Sequence, residues 1–312
     1  MNNQPPAPKG FIPVMLTPFT DTGAIDFDAL TRLTELYLQA GAAGLFANCL
    51  SSEMFELSES ERIQIIEHVI KVTNGAVPVV ATGTFGGPIA TQADFVKRVH
   101  ATGTDAVILI TGLLADEAET DAVFNERVFQ LLDQTENVPV GFYECPVPYK
   151  RLISPEQLQL FVDTGRVIYH KDTSLDIEQI KEKLRLASRP GFGLYDAYMV
   201  HAVESLKAGS AGLSCIQGNF FPELIVWLCQ HYNDADLQAD VATVQQFLID
   251  SMDVMHNVYP TVSKYFLQLR GFEMSTFTRR DVGTFTPAIA KQVAELIATY
   301  SRLQEELALE KV

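Results

Sequence analysis

Lys171 closes an apolar run, Val167-Ile168-Tyr169-His170-Lys171, and the polar residues Asp172, Thr173 and Ser174 follow it. An ammonium at the end of a buried strand is partly desolvated, which disfavours the charge and lowers the pKa. A neutral amine attacks ketones and forms a Schiff base. The same pattern fits a strand-end lysine paired with an acid such as Asp172, and the residues alone weigh the two readings equally. Tyr143 ends the preceding apolar run, VPVGFY (138–143). A phenol there can shuttle protons while a carbinolamine dehydrates, although a packed core tyrosine looks no different in sequence. Ser51 and Ser52 offer two hydroxyls and successive backbone N–H groups, a set that suits a carboxylate. Tyr195, Asp196 and Gln217 also fall at or just beyond the ends of apolar runs.

These residues share one setting. Short apolar runs at 11–16, 44–48, 77–83, 106–111, 138–143, 167–171, 191–196 and 211–216 alternate with helical patterns. Asp26 opens the first helix, and Ser58 with Glu61 forms a capping box for the second. Strands that alternate with amphipathic helices imply a parallel sheet covered by helices. About eight such units predict a (β/α)₈ barrel over 11–232, with its active site at the C-terminal strand ends. A doubly wound sheet would also alternate, but no Gly-x-Gly-x-x-Gly follows the first run. Residues 1–10 read as a Pro-rich arm, and 233–312 as a wholly helical C-terminal domain. On strands, neighbours face opposite ways. His170 and Glu144 should therefore point outward if Lys171 and Tyr143 point inward. The other lysines, including Lys71, Lys97, Lys181, Lys183 and Lys207, read as solvated on helix faces.

The chain has 312 residues, 47% of them hydrophobic, and a net charge of −16 from 39 acidic and 23 basic residues. Such an acidic chain is a poor nucleic-acid binder. No apolar run approaches the roughly 18 residues of a membrane span, and the N-terminus lacks the features of a signal peptide. The four cysteines, Cys49, Cys145, Cys215 and Cys229, form no Cys-x-x-Cys pair and have apolar neighbours. They read as reduced thiols, which fits the cytoplasm. Cys49 and Cys145 lie near the candidate site, but nothing in the sequence marks either as a thiolate. No metal or other cofactor is expected, since no His-x-x-x-His or similar cluster is present.

At these positions the chain resembles the dihydrodipicolinate synthase/N-acetylneuraminate lyase family of Schiff-base pyruvate lyases and synthases. YHKDTSLD stands where the family's sixth strand typically reads Gly-x-Lys-[Glu/Asp]-[Ala/Ser/Thr], and YECP (143–146) where its fifth ends Tyr-Asn-x-Pro. CLSSEMFELS (49–58), ATGTFGG (81–87), GLSCIQGNFFPEL (212–224) and NVYPTVSKYFLQLRG (257–271) follow in the family's order. The resemblance implies that Lys171 forms an imine with pyruvate or another 2-oxo acid, that Tyr143 relays protons, and that Ser51 and Ser52 hold the carboxylate. It further implies a homotetramer and no cofactor.

There are departures. Leu50 replaces the loop's first threonine and Ser52 its second glycine. Leu113 and Leu114 stand where the synthases carry a relay tyrosine pair. Pro148 takes the place of their arginine, with Lys150 and Arg151 at the wrong spacing, and Glu144 replaces the asparagine. Tyr195-Asp196 resembles the sugar-acid lyase pattern, in which the acid binds substrate hydroxyls. The expected function is a class I lyase, an aldolase or dehydratase, acting on a 2-keto-3-deoxy sugar acid or a related hydroxylated 2-oxo acid. The alternatives are dihydrodipicolinate synthase proper, a non-catalytic 2-oxo acid binder and, more weakly, a metal-dependent aldolase.

Overall fold

A computed structural model describes residues 10–309. The expected arm therefore lies outside the described residues, except for Gly10, which begins the first strand. Eight parallel strands form the sheet: β1 (Gly10–Phe11), β2 (Leu45–Phe46), β3 (Val79–Thr82), β4 (Ala106–Ile110), β5 (Val140–Tyr143), β6 (Val167–Asp172), β7 (Gly193–Asp196) and β8 (Gly212–Leu213). Neighbours in sequence are neighbours in space, and β1 pairs with β8. The remaining gap, between β1 and β2, is closed by a parallel bridge from Val14 to Phe46. Pro13 has no N–H to continue the ladder, so β1 is shorter than its apolar run. Its carbonyl still accepts the Phe46 N–H at 3.0 Å, and the Met15 N–H reaches the Phe46 carbonyl at 3.1 Å. The barrel predicted from alternation is thus the fold.

Helices α1 (Phe27–Gln39), α2 (Glu59–Thr73), α3 (Ile89–Ala101), α4 (Asp121–Gln134), α5 (Pro155–Val162), α6 (Ile177–Leu186), α7 (Ala202–Ala208) and α8 (Pro222–His231) alternate with the strands. Their starts are locally encoded. The Asp26 carboxylate accepts the Ala29 N–H, and Ser58 with Glu61 forms the predicted box. Ser154 and Gln157 form a second box behind Pro155. A cap of this kind is worth about 1 kcal/mol.

Beyond the barrel lie α9 (Gln238–Asp250), α10 (Met252–His256), α11 (Thr261–Leu269) and α12 (Pro287–Glu306). The extension is not wholly helical. Residues 270–286 run without a helix, and they carry two arginines back to the barrel mouth.

The strand faces sort the core. Ile12, Val14, Phe46, Val80, Ile108, Ile110, Tyr143 and Tyr169 fill the barrel interior. Val107, Leu109, Phe142, Val167 and Leu194 pack outward against the helices. Gly141 faces inward, where a Cβ would sit 2.7 Å from the Tyr169 Cβ and 2.8 Å from Ile108. Only glycine lets the Tyr169 ring cross beneath the mouth.

Candidate active site

Register sets the site. Tyr143 of β5 pairs with Lys171 of β6, which pairs with Tyr195 of β7. All three therefore face the barrel interior side by side. The Lys171 Nζ stands 4.2 Å from the centroid of the Tyr143 ring. Beneath it, Tyr169 stacks on Tyr195 with centroids 4.9 Å apart, and Phe46 meets Tyr143 and Tyr169 edge-on. The Tyr169 hydroxyl donates to Ser214 Oγ at 3.2 Å, and Ser214 donates to the Ile12 carbonyl at 2.9 Å. This tyrosine is part of the floor, with its phenol satisfied.

Lys171 is 4% exposed. Among the described residues it makes no ion pair, and the Asp172 carboxylate is taken by Lys183. Among the described residues no acid pairs with it as the structural reading would require. Burial pushes its pKa down, with Lys150 adding to the fall and three neighbouring thiols opposing it. The thiols are Cys49, Cys145 and Cys215, from the ends of three different strands. They are buried and free, and burial raises the pKa of each, Cys145 to about 11. Tyr143 is likewise raised, first by burial and then by its proximity to Cys145 and Cys49.

The loop after β2 splits its two serines. Ser52 Oγ donates to the Met15 carbonyl at 2.6 Å and accepts the Cys49 N–H at 3.0 Å. Its N–H returns to the Cys49 carbonyl. The expectation of two carboxylate-binding hydroxyls is corrected here: Ser52 braces the loop, because its side chain points into the barrel wall. Ser51 is the better placed, and its hydroxyl interacts with the phenol of Tyr259. Tyr259 comes from the segment between α10 and α11 and accepts from Asn219 Nδ2 at 2.6 Å. Asn219 Nδ2 also reaches the Val14 carbonyl at 2.8 Å, and its Oδ1 takes the Tyr37 hydroxyl. Gln217, in the turn after β8, is buried, and its Oε1 has no partner among the described residues.

Glu53 follows, with φ at 57°. Its Oε1 meets Lys264 Nζ at 3.1 Å, with both side chains fully buried. Its Oε2 accepts the N–H groups of Arg279 and Arg280 at 2.6 and 3.0 Å. Arg279 continues to Glu61, which it holds down at a pKa of about 2. The helical extension is thereby clamped to the β2 loop.

Asp196 departs from expectation. It is register-paired with Asp172, on the face opposite Lys171. Its carboxylate accepts the Tyr198 N–H at 2.9 Å and lies 3.1 Å from His201 Nε2. A side chain turned toward the helices is not placed to accept a substrate hydroxyl inside the barrel. Tyr195, one residue earlier, does face inward.

His170 and Glu144 also face outward, as strand parity requires. With Asp172 they form a buried group whose ligand atoms lie within 4.8 Å of one another. Composition would suit a metal ion, but the positive charge is already supplied. Lys183 of α6 places its Nζ 2.7 Å from both Glu144 Oε1 and Asp172 Oδ2, and 3.4 Å from His170 Nε2. Lys183 is fully buried, which corrects its reading as a solvated helix lysine. Burial alone would lower the Lys183 pKa, but the two carboxylates raise it. Burial would raise Asp172, but His170 and Lys183 hold it well below the carboxylate range.

Beside the mouth, a hollow of about 610 Å³ is lined by Gly112, Leu113, Leu114, Pro148 and Tyr149, among others. The positions at which the resemblance expects a relay tyrosine and an arginine thus share one space with Asp116, Glu117 and Arg127. Arg151 is turned away and spent on Asp121, the Asp116 and Glu119 carbonyls and Tyr149. Lys150 donates to the Thr173 carbonyl at 2.8 Å.

Among the described residues no helix is long and apolar enough to cross a membrane. A family model described as the dihydrodipicolinate synthetase family matches residues 7–300. The chain is 26% identical over 264 residues to the 4-hydroxy-tetrahydrodipicolinate synthase of Bacillus subtilis strain 168, covering 84% of this chain and 89% of the relative. It is 23% identical over 275 residues to YjhH of Escherichia coli K12, named a probable 2-dehydro-3-deoxy-D-pentonate aldolase, covering 86% and 89%. The crystal structure of E. coli K12 YagE in complex with pyruvate superposes with a TM-score of 0.83 at 23% identity, covering 95% of this chain and 98% of that one.

Proposed function

This chain belongs to the dihydrodipicolinate synthetase family, and on that premise we propose that it is a class I lyase whose Lys171 forms an imine with pyruvate or a related 2-oxo acid. The observation that carries the reading is a buried amine with no counter-ion among the described residues, 4.2 Å from a tyrosine ring. Desolvation favours the neutral amine, which attacks the 2-oxo carbon. Tyr143 delivers a proton to the departing hydroxyl of the carbinolamine. The resulting cationic imine is the electron sink for breaking or forming the next bond. Ser51, set by Tyr259, binds the carboxylate, and Gln217 and Tyr195 complete the wall around the substrate.

We read the substrate as a 2-keto-3-deoxy sugar acid or a related hydroxylated 2-oxo acid. Support comes from the hollow at Leu113 and Pro148, where among the described residues the lining cation, Arg127, is already paired with Glu119, and from the likeness to YjhH. Asp196, turned outward, lends none. Assembly as a homotetramer and a cytoplasmic setting belong to the same reading. The first rests on the resemblance, and the second on four buried free thiols. Light scattering tests the assembly.

The deciding experiment is incubation with pyruvate and borohydride. One stable adduct per chain should appear on the peptide carrying Lys171, and Lys171→Ala should abolish it together with any activity. Absence of an adduct with every 2-oxo acid tried removes the lyase reading and leaves a binding protein.

A further inference from the structure

Tyr143 has to lend a proton and recover it, and the groups that the resemblance would place beside it are leucines here. Leu50 and Leu113 can neither supply nor accept a proton. A protic side chain that neighbours Tyr143 in the interior cluster is a thiol. Cys145 follows Tyr143 by two residues, and its N–H returns to the Tyr143 carbonyl at 2.8 Å, so the chain turns tightly between them. Both side chains lie in the barrel-interior cluster. The Cys145 thiol raises the pKa of the Tyr143 phenol beside it, and Lys171 is within electrostatic reach of the same sulfur. Pro146, next in the chain, is exposed, so the thiol sits at the inner edge of the rim.

We propose that Cys145 is the proton store behind Tyr143, taking the place of a hydroxyl relay. This rests on the Schiff-base reading of Lys171. The proton balance closes without a further reactant. Tyr143 gives its proton to the carbinolamine oxygen, the C–O bond breaks, and water leaves with the bonding pair. The Cys145 S–H proton then moves to the phenolate, leaving a thiolate beside the newly cationic imine. When the imine loses a C3 proton to become the neutral enamine, that proton returns through Tyr143 to the thiolate. One proton is lent and one comes back. The transient charges are opposite and adjacent, which is how a buried thiol can ionise for the lifetime of the cation. Burial otherwise keeps the thiol protonated and inert at rest.

Exchange of the pyruvate methyl protons with deuterated water, followed by NMR, reads this step and needs no aldehyde. Cys145→Ala should slow the exchange by about 10–100-fold, the lower part of the range for one acid–base group. It should still give one borohydride-trapped pyruvate adduct per chain. Cys145→Ser, which restores a proton-bearing group, should recover exchange to within a few-fold of wild type, with a shifted pH profile. Cys145→Val replaces the alanine variant if circular dichroism shows that the latter is unfolded. Wild-type exchange in Cys145→Ala overturns the proposal. So does equal impairment in the serine and alanine variants, which would make the thiol a packing group. If wild type forms no pyruvate adduct at all, the Schiff-base reading itself fails and this inference falls with it.

Discussion

Lys183→Met removes an ammonium while keeping most of the side-chain volume, and it tests the buried group behind β5 and β6. The lysine makes two contacts of 2.7 Å, to Glu144 and Asp172, and all three side chains are fully out of water. Breaking such a pair on one side costs about 3–5 kcal/mol, because the carboxylates stay buried without their counter-charge. Two features keep the loss in that range. Glu144 retains the N–H groups of Ile153 and Thr173, and Asp172 retains the Ser174 N–H and hydroxyl. For a chain of this size that is a fall in Tm of about 5–8 °C.

The pH dependence carries a sign. In the native protein Asp172 is depressed, so its contribution is present at neutral pH and is lost as pH falls through the folded pKa. In the variant Asp172 loses the Lys183 ammonium that opposes its burial, so protonation on acidification relieves it. The gap between wild type and variant should therefore narrow from pH 7.5 to pH 5. Thermal melts at both pH values measure it. A loss under ~1 kcal/mol at pH 7.5, well short of the buried-pair cost, or a gap that widens on acidification, would refute the argument.

Three further outcomes follow from the inner face. Tyr143→Phe should keep the fold and pyruvate binding but slow turnover by ~100-fold or more, and near-normal turnover would relegate the tyrosine to packing. Ser51→Ala should weaken 2-oxo acid binding by ~1–2 kcal/mol, the loss of a hydrogen bond to a charged group, and unchanged affinity in a trapping titration would place the carboxylate elsewhere. The rate of imine trapping should rise with pH as the Lys171 amine loses its proton, with a midpoint below the ordinary 10.5, and a midpoint at or above that value would mean that burial does not set its pKa.

Lys171 and Tyr143 were legible because strand ends in a barrel face the mouth, and local residues define a strand end. The parity that sent His170 and Glu144 outward also applies to Asp196, one residue past the inward-facing Tyr195. A family-like pattern had suggested an inward acid there, and the register with Asp172 excludes it. Lys183 was opaque for a different reason. A lysine in a charged amphipathic helix looks solvated until two carboxylates from two strands are placed under it. Tyr259 lay in a quoted motif, but nothing local says that its phenol meets Ser51. That contact depends on where the extension docks. Residues 270–286 were expected to be helical, and instead two of their backbone N–H groups, those of Arg279 and Arg280, go to Glu53.

The Glu53–Lys264 pair joins positions 211 residues apart. A ribosome releases the carboxylate long before its ammonium has been made. Until then Glu53 stays hydrated, since burying it alone costs several kcal/mol, and the loop that carries Ser51 has nothing to close against. Synthesis therefore reaches the end of the eighth strand with Lys171 in place and the Ser51 loop still without its clamp. Competence arrives late and all at once, with the last fifth of the chain. A product truncated before Tyr259 should therefore form no borohydride-trapped adduct with a 2-oxo acid, although it carries all eight strands.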